Sequence, residues 1–284
     1  MIIKKIGKIS GGQDGAVCGT ELFRFDTKGK CTVFDLSELD HNEEKILFPK
    51  SVFFLDKLDL VTPHSNAVFF GTEYYDVTDT YPILYTNVYN NYSASNDKRM
   101  GMLTAYRLQK TNVGYKTTLL QIIKIGFTED IVWKSNEKEH GVRPYGNFVA
   151  EREYLYSFVM RNEENGTRFF KFNLPSVREG ENVSGEVKQL VLTKNDILET
   201  FDLPYFRFIQ GATMRNGKIY STEGFTNDNV NRPAIRVIDV LDKTEKYYNI
   251  MDLGYPEEAE MIDFLDDECL YSDINGNLYS CSFD

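Results

Sequence analysis

Cysteine and histidine are scarce in this chain, four of the first and three of the second in 284 residues. No Cys-x-x-Cys pair occurs, so the ligand spacing of a structural zinc site is missing and no metal site is expected from these residues. Cys269 and Cys281 flank one hairpin turn; with Cys18 and Cys31 they are expected as buried free thiols. Only 8 prolines are present and there is no long Gly/Ser tract, so no linker announces itself and residues 1–284 read as one domain. No apolar run approaches the roughly 18 residues needed to span a bilayer. The opening MIIKKIGKIS lacks the apolar core of a secretory signal, which predicts a cytoplasmic protein as the sequence stands, or an exported one whose signal peptide has been removed.

Positive charge is also in deficit, 32 Lys and Arg against 43 Asp and Glu, for a net charge of −11. Such a field repels phosphate backbones and anionic lipid, so neither nucleic acid nor a membrane is the expected partner. The glycine-rich phosphate loops are absent, as are His-Glu-x-x-His and Gly-x-Ser-x-Gly. That removes the common signatures of nucleotide binding, zinc proteolysis and serine hydrolysis.

What is present is a repeat. Five short segments alternate with period two: Cys31–Leu36, Leu103–Leu108, Phe169–Leu174, Ile235–Val240 and Leu278–Phe283. Each follows a turn and an aromatic-rich segment, namely Glu21–Phe25, Pro82–Tyr89, Tyr154–Met160, Lys218–Thr222 and Cys269–Asp273. The turns at Lys28-Gly29, Asn165-Gly166 and Asn275-Gly276 carry hairpin chemistry. Upstream of each pair lies a strand of small residues, suited to a crowded axis: Ala16–Thr20, Ala67–Gly71, Phe148–Glu151, Ala212–Arg215 and Met261–Leu265. Outer strands are expected at Lys45–Phe48, Leu119–Phe127, Val187–Leu192 and Lys246–Leu253.

The fifth copy has no room for an outer strand before Asp284, whereas Ile2–Ile9 precedes the first copy with a strand's alternation. Laid beside Leu278–Phe283, it would close a ring and remove an exposed edge. The fold expected is therefore all-β, a five-bladed β-propeller of four-stranded antiparallel blades whose N-terminal strand completes the last blade. Six blades is the alternative if Val52–Leu60 or Thr193–Phe201 hides a degenerate unit; the second of these, with Asn195 as a cap, reads better as a short helical turn.

In such a ring the loops leading into the inner strands meet on one face. Here they carry Gln13-Asp14, His64 and Asn66, Tyr145 and Asn147, Gln210-Gly211, and Glu257-Glu258-Ala259-Glu260. The ligand-binding candidates are thus Gln13, Asp14, His64, Asn66, Tyr145, Asn147, Gln210 and Glu258. Turn geometry alone favours Asn, Asp and Gly, so Gln13, Gln210 and His64 are the more informative members. Asp14 and one of Glu257, Glu258 or Glu260 come from units that adjoin in a closed ring. Paired carboxylates suit glycoside hydrolysis, with Asp14, Glu258 and Glu260 as catalytic candidates, or a Ca²⁺ ion bound in the channel. The Asn- and Tyr-rich loop from Asn90 to Arg99, with Tyr74, Tyr75 and Tyr81, suits stacking on sugar rings; Arg143, Arg207 and Arg232 suit a ligand carboxylate.

The last quarter of the chain, QGATMRNGKIYSTEGF then IRVIDV then EEAEMIDFLDDECLYSDINGNLYSC, resembles bacterial propellers of the glutamine-cyclotransferase-like group. In that group a Gln-Gly step precedes one inner strand and an acidic-Pro-acidic step the next; here the latter reads Pro256-Glu257-Glu258. The blade count is similar to that of arabinanase-type glycoside hydrolases, a resemblance that implies Asp14 as general base. No carboxylate precedes the third inner strand at Asn147, where their acid belongs, and Glu151 lies beyond it. The functional expectation is a monomeric propeller that binds a small molecule or glycan at the channel mouth. A glycoside hydrolase or lyase, or a protein-interaction scaffold, are the alternatives.

Overall fold

A computed structural model describes residues 1–40, 43–89, 97–135, 138–162 and 164–283. Five antiparallel sheets stand around one axis. The first blade comprises Gly15–Cys18, Glu21–Phe25, Lys30–Asp35 and Ser51–Phe54; the second Val68–Phe70, Leu84–Asn87, Gly101–Thr111 and Gly114–Ile125. The third comprises Asn147–Glu151, Tyr154–Asn162, Gly166–Asn173 and Glu199–Leu203, and the fourth Ile209–Arg215, Lys218–Glu223, Ala234–Asp239 and Thr244–Asn249. The fifth takes Ala259–Leu265, Glu268–Asp273 and Asn277–Ser282 from the end of the chain and Ile2–Lys8 from its start. Among the described residues there are five blades, not six.

Closure is carried by both backbone and core. Ile2–Lys8 pairs antiparallel with Asn277–Ser282, Ile2 opposite Ser282 and Lys8 opposite Asn277. The Ile9 amide then donates to Gly276 O at 2.8 Å. Gly276 has φ +80°, and a Cβ there would lie 2.2 Å from Ile9 O, so the Asn-Gly turn admits this approach only with glycine. Among the described residues an apolar cluster fills each of the five clefts between neighbouring blades. The one between blades five and one buries Ile6 with Leu22, Phe34, Leu270 and Leu278. Truncating such a buried aliphatic costs about 2–5 kcal/mol, so this cleft contributes to holding the ring shut.

Two outer strands differ from the sequence expectation. Lys45–Ile46 leaves the first blade and lies parallel on Ile2–Lys8, while Ser51–Phe54 takes the outer position. Val187–Leu192 runs parallel to Gly114–Ile125, widening the second blade to six strands with Glu181–Ser184 at its edge, and Glu199–Leu203 completes the third. Packing decides both assignments. Val187 enters the cleft between blades one and two and Leu192 that between two and three, which only a strand of blade two can do. Phe201 stacks on Phe169 with centroids 4.7 Å apart. The expected helical turn is the 3₁₀ turn Lys194–Asp196, capped by Thr193 rather than Asn195. A hairpin, Thr128–Ser135 with Lys138–Pro144, is inserted before the third blade. The four cysteines are free thiols; Cys269 and Cys281 face each other in register, and Cys18 is half-buried.

Candidate functional site

Asp14 ends the turn into the first inner strand, and the turn drives its carboxyl onto the propeller axis. Oδ2 accepts from the Val68 amide at 3.0 Å and the Ala212 amide at 3.3 Å, and Oδ1 from the Ile262 amide at 3.3 Å. Those amides belong to blades two, four and five. Gly211 makes the approach possible, because a Cβ there would lie 3.1 Å from Asp14 Oδ1 and 2.6 Å from Glu260 O. Asp14 is fully buried, and burial pushes its carboxyl well above the usual range against the pull of the Gly15, Val68 and Ala212 amides and of Arg24.

A second knot sits beside it. Asn66 Nδ2 donates to Asn147 Oδ1 at 3.2 Å and to Ile209 O at 3.0 Å. Asn87 Oδ1 accepts from the Asn66 and Ala67 amides, both at 3.0 Å, and its Nδ2 donates to Asn66 Oδ1 and to Gly146 O. Asn147 Nδ2 donates to Phe158 O at 3.1 Å. These amides tie blades two, three and four together, and all three side chains are buried.

Toward the mouth the chemistry changes. His64 Nε2 lies 3.1 Å from Gln13 Oε1, Gln13 Nε2 donates to Glu260 Oε1 at 3.4 Å, and Gln210 Nε2 donates to Glu258 Oε1 and to Gly224 O. Blades one, two, four and five each contribute to this arc. Gln13, His64 and Glu258 are half-buried, whereas Glu260 is 2% exposed and its Oε2 has no hydrogen-bond partner. Burial first, and then the neighbouring Glu258, lift the Glu260 carboxyl to about 8; burial also raises Glu258 and lowers His64. Beneath the arc lies Arg24, 2% exposed, donating through Nη2 to Gly12 O at 2.7 Å while its Nε and Nη1 are unpartnered. Burial brings its guanidinium down to about 10, so it stays charged at neutral pH, held up by Glu260, Asp14 and Asp273. Half-buried aromatic rings stand near the arc: Tyr89 edge-on to His64 at 5.9 Å, and Phe208 against Phe225 at 5.3 Å.

The candidates therefore separate. Gln13, His64, Gln210, Glu258 and Glu260 come together at the mouth; Asp14, Asn66 and Asn147 lie beneath it with their polar atoms engaged by the fold. Tyr145 goes elsewhere, its hydroxyl donating to Glu129 at 2.8 Å and its ring packed on Phe127 and Phe170. Tyr81 is buried against Glu21, and Tyr75 lies between the guanidiniums of Arg107 and Arg178. Arg232 pairs with Asp252 at 3.1 Å, and Arg143 donates to Met160 O. Asn90 and its neighbours to 96 fall outside the described residues. Arg24 and Asn87 were missed by sequence reasoning. Arg24 had a signal, a cation amid the apolar segment ELFRF; Asn87, at the end of a strand, had none. Among the described residues no three His, Cys, Asp or Glu side chains are gathered as a metal would require.

No family model matches the chain, and no curated protein does. Among solved structures it is similar to the computationally designed Ika8 protein, at 9% identity and a TM-score of 0.39, over 99% of this chain and 100% of that one. It is also similar to BamB from Moraxella catarrhalis, at 10% identity and a TM-score of 0.33, spanning 58% of that protein's length. The class that the sheets themselves define is a five-bladed β-propeller, an architecture that serves as a general scaffold for binding and interaction.

Proposed function

We propose that this propeller is a non-catalytic binding module for a carbohydrate, held at the channel mouth by Gln13, His64, Gln210, Glu258 and Glu260. One observation carries the reading: four blades deliver amide, imidazole and carboxyl groups to a single arc that the fold leaves only partly satisfied, down to a buried Glu260 oxygen without a donor. Native interiors pair their buried polar atoms, so an incomplete set is where a ligand's hydroxyls add bonds. Half-buried Tyr89, Phe208 and Phe225 supply rings for the apolar face of a sugar.

A hydrolytic reading pairs Asp14 with Glu258 or Glu260. It needs Asp14 to face the substrate, and a fully buried carboxyl whose oxygens take three backbone amides speaks for a structural role instead. The altered step at Pro256-Glu257-Glu258 and the missing acid before Asn147 favour binding in the same way. A glycan array together with chromogenic glycosides tests the proposal. Binding without turnover supports it; turnover that disappears in Asp14→Asn overturns it in favour of the hydrolase, and silence on both overturns the carbohydrate.

A further inference from the structure

Resting on that reading, we infer that the mouth takes a sugar bearing a free ammonium group, with the ammonium seated between Glu258 and Glu260. The two carboxyls stand two residues apart at the entry to blade five, and Glu258 is near enough to raise the proton affinity of Glu260. Each receives an amide N–H from a neighbouring blade, Glu258 from Gln210 and Glu260 from Gln13, and neither is ion-paired by a lysine or arginine at hydrogen-bond distance among the described residues. The Oε2 atom of Glu260 is buried and has no donor among the described residues. An ammonium brings three donors and one positive charge, the complement that these acceptors lack.

The charges around the arc allow it. The buried cation beneath the arc, Arg24, sends its hydrogen bonds to Gly12 O and Asp273 O rather than to either glutamate. His64 is half-buried, and burial favours its neutral form, so it does not compete for the position. The aromatic rings of Tyr89, Phe208 and Phe225 flank the mouth and favour a cation over an anion. A carboxylated sugar would instead bring further acceptors to a site that already lacks donors.

Proton accounting supplies a second handle. With a proton affinity near 8, Glu260 is almost wholly protonated at pH 6.5. An amino sugar is charged at that pH, and an ammonium seated against Glu260 favours release of its proton into buffer.

The test uses titration calorimetry on the intact protein with oligosaccharides of glucosamine, galactosamine and mannosamine, each beside its N-acetylated and hydroxyl counterparts. The expected result is at least one amino sugar binding ten-fold or more tightly than both neutral counterparts. Release of up to about one proton at pH 6.5, read from heats in two buffers of different ionisation enthalpy, should accompany it. Glu258→Gln, at a half-buried position that tolerates the change, should lose ten-fold in affinity, and Glu260→Gln should lose the proton release. Equal binding of amino and neutral sugars overturns the ammonium inference and leaves the carbohydrate reading in place. No binding by any sugar overturns both.

Discussion

Gln13 and Asp14 are adjacent in the chain and belong to opposite kinds of region. Asp14 is fully buried, and its two oxygens are consumed by amides from three other blades. Gln13, one residue earlier, is half-buried and bridges His64 to a glutamate that still lacks a donor. Both are polar, and both come from the same turn. What separates them is hydrogen-bond satisfaction: a complete set marks a group that the fold uses for itself, and an incomplete one marks a group left for something else. The lower region, with the Asn66, Asn87 and Asn147 knot, fastens blades to one another. The upper region decorates the ring so formed.

If that division is right, the lower region should answer in stability. The largest effect is expected from Asp14→Ala, which strands three buried amide donors and should cost about 3 kcal/mol, read as a fall in the urea midpoint at unchanged m-value. Part of the lost bonding is returned by no longer burying a carboxyl. A cost under about 0.5 kcal/mol would break the comparison outright, since Asp14 would then be no hub. Asn87→Ala is expected next, at about 2 kcal/mol, because the Asn66 and Ala67 amides and Gly146 O lose their partner together.

The ring itself was legible in the sequence because period-two alternation, hairpin turns and a missing outer strand are local signals that survive without coordinates. The placement of Val187–Leu192 was not. Alternation marks a segment as a strand but does not say which sheet edge it joins; that is decided by Val187 and Leu192 reaching clefts on opposite faces of blade two. At the site, the polar lead-in residues were legible as a group, and Gln13, His64 and Gln210 stood out because turn preference does not explain them. Whether a given side chain turned inward to amides or outward to solvent depended on blades far away in sequence. Asp14 therefore read as a chemical group, Tyr145 read as a mouth residue, and Arg24 went unnoticed.

Glu260 sharpens the boundary, because it is buried like the hub yet unsatisfied like the mouth. Its carboxyl is raised from the ordinary 4.5 to about 8, so the folded state binds the proton more tightly than the unfolded chain does. Stability contributed by that group is present below about pH 4.5 and is lost as the pH rises toward 8. Glu260→Gln removes the titration while keeping the acceptor for Gln13. The variant should gain stability on the wild type steadily between pH 5 and pH 8, read from parallel urea melts. A pH-independent difference would place Glu260 with the satisfied groups below it.

The smallest effect on stability is expected at Gln13 itself, and it divides the two regions most finely. Gln13→Ala deletes a half-buried side chain, leaving His64 free to bond water and opening a path for water to Glu260, so stability should change by less than about 0.5 kcal/mol. The same change removes a group from the proposed binding arc, and the affinity for a sugar found on the array should fall about ten-fold, or about 1.4 kcal/mol. Asp14→Ala should show the reverse pattern, a large loss of stability and, in the fraction still folded, a smaller loss of affinity than Gln13→Ala. Should Gln13→Ala instead destabilise the ring as Asp14→Ala does, the arc would be a continuation of the hub, and the unsatisfied Glu260 oxygen would be answered by buried water rather than by a ligand.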